Sequence, residues 1–115
     1  MGKALAAYLP AGEKEHVLSS IRFERFTPHT LTRLPQLRKE LEKVRQRGYA
    51  LDDEEAILGA RCVSAPILHD EGKVMAAISV AGPTTRIARD KIRVLAGEVV
   101  AAARAISTRL GASES

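Results

Sequence analysis

Two runs of β-branched and small residues, 61–68 and 73–81, constrain the fold of this chain more than any other feature. They are separated by Asp70-Glu71-Gly72, and such runs flanking a short turn with glycine are typical of a β-hairpin. Pro66 has no N–H to donate, which indicates that the first strand is an edge strand or is bulged there. We therefore expect an antiparallel sheet in this half of the chain.

A two-residue loop at Glu71-Gly72 would sort the hairpin side chains onto two faces. One face is wholly apolar and is predicted to be core: Val63, Ala65, Ile67, Val74, Ala76, Ile78 and Val80. The other face is small and weakly polar: Cys62, Ser64, Pro66, Leu68, Met75, Ala77, Ser79 and Ala81. It is a candidate floor for a small-molecule pocket, although such residues are often only fillers. A three-residue loop would mix the faces unless Gly72 forms a bulge.

Helical periodicity surrounds the hairpin. Short helices are predicted over residues 2–9 and 13–20, and a possible short strand over 49–51. A stronger amphipathic helix follows Leu34, Leu37, Leu41 and Val44, with Thr32 as its N-cap and Gly48 as its stop. A long C-terminal helix, capped by Thr84 or Thr85 and closed by Gly111, follows these apolar residues: Ile87, Ile92, Leu95, Val99, Ala102, Ala103, Ile106 and Leu110.

This order of elements predicts one α+β domain, with an antiparallel sheet flanked by helices. The 115 residues are enough for a single core. Three strands are few for a stable sheet, so we expect further strands to be missing or supplied by a partner.

The net charge of +4 is concentrated between residues 21 and 47, a segment that contains eight basic and three acidic residues. Solvated helix faces commonly look like this, and neither interleaved aromatic residues nor a helix-turn-helix pair accompanies the charge. DNA binding by this chain itself is therefore disfavoured. An apolar run of about 20 residues and a secretory signal are also missing, so we predict a cytoplasmic protein without membrane association.

Catalytic and metal-binding patterns are weak. Cys62 is the single cysteine, and no histidine carries a motif that would make it a partner base. The acidic quartet 52–55 points in different directions, which is more typical of a solvated turn or a helix N-terminus than of a cation site. We predict no catalytic residue, no metal and no cofactor.

Residues 44–87, VRQRGYALDDEEAILGARCVSAPILHDEGKVMAAISVAGPTTRI, closely resemble the effector-binding domain of IclR-family transcription regulators. The "GKA" from Gly2 resembles the family's helix start, and "FTPHTLT" resembles its "YTPxTIT" segment. The resemblance implies a GAF-like antiparallel sheet flanked by helices, a homodimer or tetramer, and a small organic acid effector, either a carboxylate or an aromatic acid. It also implies DNA binding only through an N-terminal winged helix-turn-helix domain. That domain, and the family's first strands, are expected to be absent from residues 1–115.

The same resemblance supplies candidate ligand-binding residues. Asp52 matches an acidic pocket position, Cys62 the pocket cysteine, and Ser79 the first serine of an "SxSGP" motif. Ala81 occupies the place of the second serine, while Gly2 and Lys3 are expected near the pocket rim.

These observations predict an allosteric sensor that binds a small organic acid and controls transcription. The alternative is an oligomerisation module without ligand binding. A hydrolase that depends on Cys62 or Asp52 is the least favoured interpretation.

Overall fold

The computed structural model describes residues 2–23, 25–69 and 72–111, and it confirms an α+β fold. The three strands form one antiparallel sheet in the order β1-β2-β3. The elements in chain order are α1 (Gly2–Ala7), α2 (Ala11–Ser20), α3 (Leu34–Arg47), β1 (Ala50–Asp53), β2 (Ala60–Leu68), β3 (Val74–Pro83), a 3₁₀ turn (Arg89–Lys91) and α4 (Ile92–Arg109). Within these described ranges, no helix is both long and apolar enough to span a bilayer.

Two apolar clusters pack against opposite faces of the sheet. On one face, α4 covers the inward side chains of β2, and the buried residues are Val63, Ala65, Ile67, Ala96, Val99 and Ala103. On the other face, α1 and α3 build a second cluster, whose buried residues are Ala4, Ala7, Leu18, Leu41, Val44 and Ala50. Ala77 of β3 packs against this second cluster. The sheet is therefore enclosed between helices over most of its length.

The register of the hairpin confirms the predicted faces over most of its length. Val63 lies opposite Val80, and the next pairs on the same face are Ala65 with Ile78 and Ile67 with Ala76. Because directly opposed residues of antiparallel strands project to the same side, these side chains share the face that α4 covers.

The turn differs from the two-residue prediction. The His69 N–H donates to the Lys73 carbonyl at 3.1 Å, so three residues, 70–72, separate the closing pair. Leu68 then lies opposite Val74, and a register shift beside Ile67 leaves Met75 as an extra residue. The extra residue offsets the longer loop, so from Ile67 towards the start of β2 the side chains lie on the predicted faces. Val74, which was predicted on the core face, lies on the other face with Leu68. Asp70 and Glu71 lie outside the described residues.

The prediction that β2 is an edge strand is wrong, since β2 is the central strand of the sheet, but Pro66 lies in a part of β2 that is paired on one side only. β1 pairs with β2 only as far as Ser64, and beyond that point the described residues place no strand beside β2 on that side. Pro66 pairs with Ala77 on the other side. Its missing N–H therefore costs no ladder hydrogen bond.

The ends of α3 show one correct and one wrong prediction. Gly48 ends the helix in the left-handed conformation (φ +86°), and its N–H donates to the Val44 carbonyl at 2.8 Å. Arg33, rather than Thr32, is the N-cap, and it makes no side-chain cap hydrogen bond. Pro35 in the first turn supplies a helical φ and lacks an N–H that would need a partner, so the helix starts without a capping side chain.

The C-terminal helix begins later than predicted. The Thr84 N–H donates to the Gly59 carbonyl at 2.8 Å, so this residue ties two loops together instead of capping a helix. The Ile87 N–H closes a turn onto Pro83, and α4 starts only at Ile92, after the 3₁₀ turn. The predicted cap at Thr84 or Thr85 is therefore wrong.

The buried face of α4 is also rotated from the predicted one. The buried residues are Ala96, Val99, Ala103 and Ser107, whereas Ala102, Ile106 and Leu110 are exposed. The Ser107 hydroxyl accepts from the Leu68 N–H at 3.0 Å and donates to the Ala103 carbonyl at 2.8 Å. Small side chains let the helix approach the sheet closely enough for these bonds.

Candidate functional site

Antiparallel pairing brings the predicted site residues of the sheet onto one face. Asp52 lies opposite Cys62, and Cys62 lies opposite Ala81, so the three form one row across the sheet. Ser79 lies in the neighbouring row, opposite Ser64. Opposed side chains have Cβ atoms about 4.5–5.5 Å apart, close enough for several of them to contact one small ligand.

This face is covered at one end and open at the other. Ser64 and Pro66 are buried, and Ala77 packs against the cluster built by α1 and α3. Cys62 and Ser79 are partly buried, and Ala81 is exposed. The row at Asp52 therefore borders the accessible end of an otherwise covered sheet face.

The acidic quartet is divided between the two sides of β1. Asp52 Oδ1 accepts from the Glu55 N–H at 2.9 Å, and no cation lies within ion-pair distance of Asp52 among the residues described. Asp53 projects to the other side, where it accepts from Arg61 Nε at 2.8 Å and pairs with Arg89 at 3.1 Å. The quartet is thus the end of a strand and a turn, not a helix N-terminus, and residues 2–23, 25–69 and 72–111 contain no cluster of metal ligands.

The ion pair of Asp53 is structural. Arg61 is buried and also donates from its guanidinium to the Ile87 carbonyl at 2.9 Å, which ties the turn after β3 to the sheet. The hydrogen bond from Arg61, together with the charges of Arg61 and Arg89, holds the pKa of the Asp53 carboxyl below its usual value against the opposing effect of partial burial.

Lys3 connects α1 to the strand end beside the site. Its ammonium donates to the Leu51 carbonyl, to Glu55 Oε2 at 2.9 Å and to Glu40 Oε1 at 3.5 Å. Two carboxylates therefore already share this charge, and Lys3 holds the turn after β1 in place. Gly2, the first residue of α1, is exposed.

A second layer of residues supports the turn after Asp52. The hydroxyls of Thr27 and Thr30 donate to the carbonyls of Glu54 and Glu55. Glu54 has a φ of +59°, a conformation that non-glycine residues adopt only where the surroundings hold them. The contacts of Thr27 and Thr30 with this turn were not predicted from the sequence. The "FTPHTLT" segment, which contains both threonines, was the available signal.

A cleft of about 970 Å³ lies elsewhere, between the C-terminal ends of α3 and α4. None of the six predicted site residues lines it. The candidate site is therefore an open, shallow sheet face and not part of this cleft.

Comparison with known proteins identifies the family. The family model for the bacterial transcriptional regulator IclR C-terminal domain matches residues 1–108. The chain belongs to the IclR family. Its regulators are not enzymes, which confirms the prediction that this domain is non-enzymatic.

Individual relatives agree with this IclR assignment. The repressor AllR of Klebsiella pneumoniae is 43% identical over 111 residues, which are 96% of this chain and 40% of AllR. The crystal structure of Thermotoga maritima IclR superposes with a TM-score of 0.91 at 35% identity, covering 96% of this chain and 44% of that one. The inducer-binding domain of a double mutant of Acinetobacter PobR, solved with 3-hydroxybenzoic acid, superposes with a TM-score of 0.79 at 25% identity, covering 96% of this chain and 61% of that one. The chain thus spans about two-fifths of the length of its curated relatives.

Proposed function

We propose that this chain is the effector-binding domain of an IclR-type transcription regulator and that it binds a small organic acid. The observation that carries the proposal is the register of the sheet, which places Asp52, Cys62 and Ala81 in one row beside Ser79. This face is accessible at the row itself and covered beyond it, so a small ligand could reach these side chains from the open end.

The polar groups of this face favour a particular orientation of the acid. The Ser79 hydroxyl and the Cys62 thiol can donate to a carboxylate, whereas Asp52 can only accept while it is ionised. Because Asp52 has no cationic partner among the described residues, a carboxylate beside it would be repelled. We therefore place the effector carboxylate near Ser79 and a hydroxyl or other donor of the effector near Asp52. The 3-hydroxybenzoic acid found with the PobR double mutant carries both groups.

Control of transcription would follow from population shift. An acid that binds one arrangement of the domain more tightly than another biases the equilibrium between them. We propose that this bias passes through a homodimer or tetramer to DNA-binding domains that lie outside residues 1–115, in the cytoplasm. This separation of effector binding from DNA binding agrees with the comparison with AllR, of which the chain matches 40%.

Isothermal calorimetry with glyoxylate, pyruvate and 3-hydroxybenzoate tests the proposal. Ser79→Ala should weaken the affinity for the acid that binds by a few-fold to about tenfold, the cost of one lost hydrogen bond. Ser19→Ala, which removes an exposed hydroxyl from α2, is the matched control and should change nothing.

Two results would count against the proposal. If Ser79→Ala and Cys62→Ala both leave the affinity unchanged, the acid binds elsewhere. If no acid binds while sedimentation shows a stable dimer or tetramer, the chain is an oligomerisation module.

A gain of affinity gives a sharper test of the site. Ala81→Ser restores the second hydroxyl of the SxSGP pattern, in the row of Asp52 and Cys62. It should tighten binding of the acid by a few-fold, since a neutral hydrogen bond contributes about 0.5–1.5 kcal/mol. Weaker binding with a retained melting temperature would show that Ala81 does not face the carboxylate.

A further inference from the structure

The cleft between α3 and α4 is separate from the candidate effector site. Its floor is the free edge of β2 from Ala65 to Leu68, and its walls are the end of α3 and the last three turns of α4. Leu68 lies six residues after Cys62 on β2, about 20 Å along an extended strand, and the nearest lining residues of this strand, Ala65 and Pro66, lie about 10–13 Å from Cys62. Its volume of about 970 Å³ is ample for a small molecule.

The lining of this cleft is strongly cationic. Arg45, Arg47 and Arg104 all line it, and among the described residues that line it there is no aspartate or glutamate. Arg47 is already engaged, since it pairs with Glu40 at 3.2 Å and lies over the Tyr49 ring at 4.6 Å. The other two guanidiniums have no carboxylate partner among the described residues.

Arg45 and Arg104 converge on one polar side chain. Arg45 donates to the Ala7 carbonyl at 3.2 Å and lies 5.1 Å from the centre of the Tyr8 ring, which leaves most of its five N–H donors unused. Burial raises the pKa of the Tyr8 phenol, while the charges of Arg45 and Arg104 oppose that rise. Tyr8, Arg45 and Arg104 all line the same cleft, so a ligand bound in it could contact both guanidiniums and the phenol hydroxyl.

Compensation of helix dipoles does not account for all of these charges. Arg45 and Arg47 lie in the last turn of α3, where cations interact favourably with the carbonyl end. Arg104, however, lies five residues before the end of α4, and the last turn of that helix has its own cation in Arg109. The dipole effect falls off within one turn, so it explains Arg109 and not Arg104.

We propose that this cleft binds a small molecule carrying a phosphate group, held by Arg45 and Arg104 with the Tyr8 hydroxyl. Guanidinium groups match the geometry of phosphate oxygens and can donate two parallel hydrogen bonds to them. The remaining volume accommodates the organic part of a phosphate ester over the apolar floor at Ala65 and Leu68.

Titration with inorganic phosphate, followed by amide NMR at constant ionic strength, tests this site. The amides of Gly48 and Ser107, which line the cleft, should shift saturably in the millimolar range, while that of Cys62 should not. Arg104→Gln should weaken phosphate binding about fivefold or more, because it removes a charge-assisted contact. Arg109→Gln removes the same charge from the same helix outside the cleft and should have less than a twofold effect.

Three outcomes would overturn the site. Equal weakening by Arg104→Gln and Arg109→Gln would indicate a general effect of net charge. Acetate binding as tightly as phosphate at the same amides would contradict the phosphate assignment. Absence of saturable shifts at Gly48 and Ser107 would contradict the site itself. All these readouts are independent of acid binding at Ser79.

Discussion

The cross-strand ion pair between Asp53 and Arg61 is expected to be a main source of pH-dependent stability. Asp53 accepts from Arg61 at 2.8 Å, and the side chains are 25% and 8% exposed. Asp53→Asn leaves a buried guanidinium facing a neutral amide. Hydrogen bonds to charged groups contribute about 1.5–3 kcal/mol, and because water reaches Asp53 in part we expect a loss near the lower end, about 2 kcal/mol.

This loss translates into a measurable change of melting temperature. Unfolding entropies of about 2.1 cal/mol/K per residue give about 0.24 kcal/mol/K for a chain of 115 residues. Asp53→Asn should therefore lower the melting temperature by about 8 °C at pH 7, measured by circular dichroism. Glu15→Gln, which breaks the exposed pair with Arg38, is the control and should give no resolvable shift.

The pH dependence has a defined sign. Since the folded pKa of Asp53 lies below its unfolded value, the carboxylate stabilises the fold above about pH 4 and loses that effect as the pH falls through the folded pKa. The difference between wild type and Asp53→Asn should be constant from pH 5 to 8 and shrink below pH 4. A difference as large at pH 3 as at pH 7, or a variant no less stable than Glu15→Gln, would refute the reasoning.

Two further predictions concern the fold. Ser107→Ala removes the acceptor of the Leu68 N–H and should cost about 1–3 kcal/mol in urea denaturation, and an unchanged midpoint would show that water replaces the hydroxyl. Gly48→Ala forces a φ of +86° on a residue with a Cβ and should destabilise the fold by about 1–2 kcal/mol. The control Gly12→Ala, in α2, should stabilise the fold by roughly 0.5–1 kcal/mol. Equal effects of the two substitutions would contradict the capping role of Gly48.

The sequence predicted local features of the fold well. Alternation along β2 and β3 identified which hairpin residues face the core, because a strand has a side-chain period of two. The predicted two-residue turn was wrong. The loop is one residue longer, and the extra residue at Met75 compensates for it, so the alternation of side chains beyond the turn is the same for both loop lengths. The predicted buried face of α4 was also wrong. Ala96 and Ser107 are buried because a small side chain allows close packing and because Ser107 makes a hydrogen bond, and hydrophobic periodicity detects neither effect.

Contacts between distant segments could not be predicted. Lys3 reaches Glu55 across 52 residues, and Thr30 reaches the Glu55 carbonyl from a loop with no regular structure. Periodicity does not encode such a pairing, and the FTPHTLT segment points to the threonines without indicating the carbonyls that they contact. The arginine-lined cleft was missed for the same reason, because it exists only where the ends of two helices meet the free edge of β2.

Mapping of acid binding by two-dimensional amide NMR tests the central claim most directly. With the acid that binds most tightly among glyoxylate, pyruvate and 3-hydroxybenzoate, we expect saturable shifts centred on the amides of Asp52, Cys62, Ser79 and Ala81. Shifts centred instead on Ser107 in the cleft, or no saturable shift with any of the three acids, would contradict an effector site on this face of the sheet.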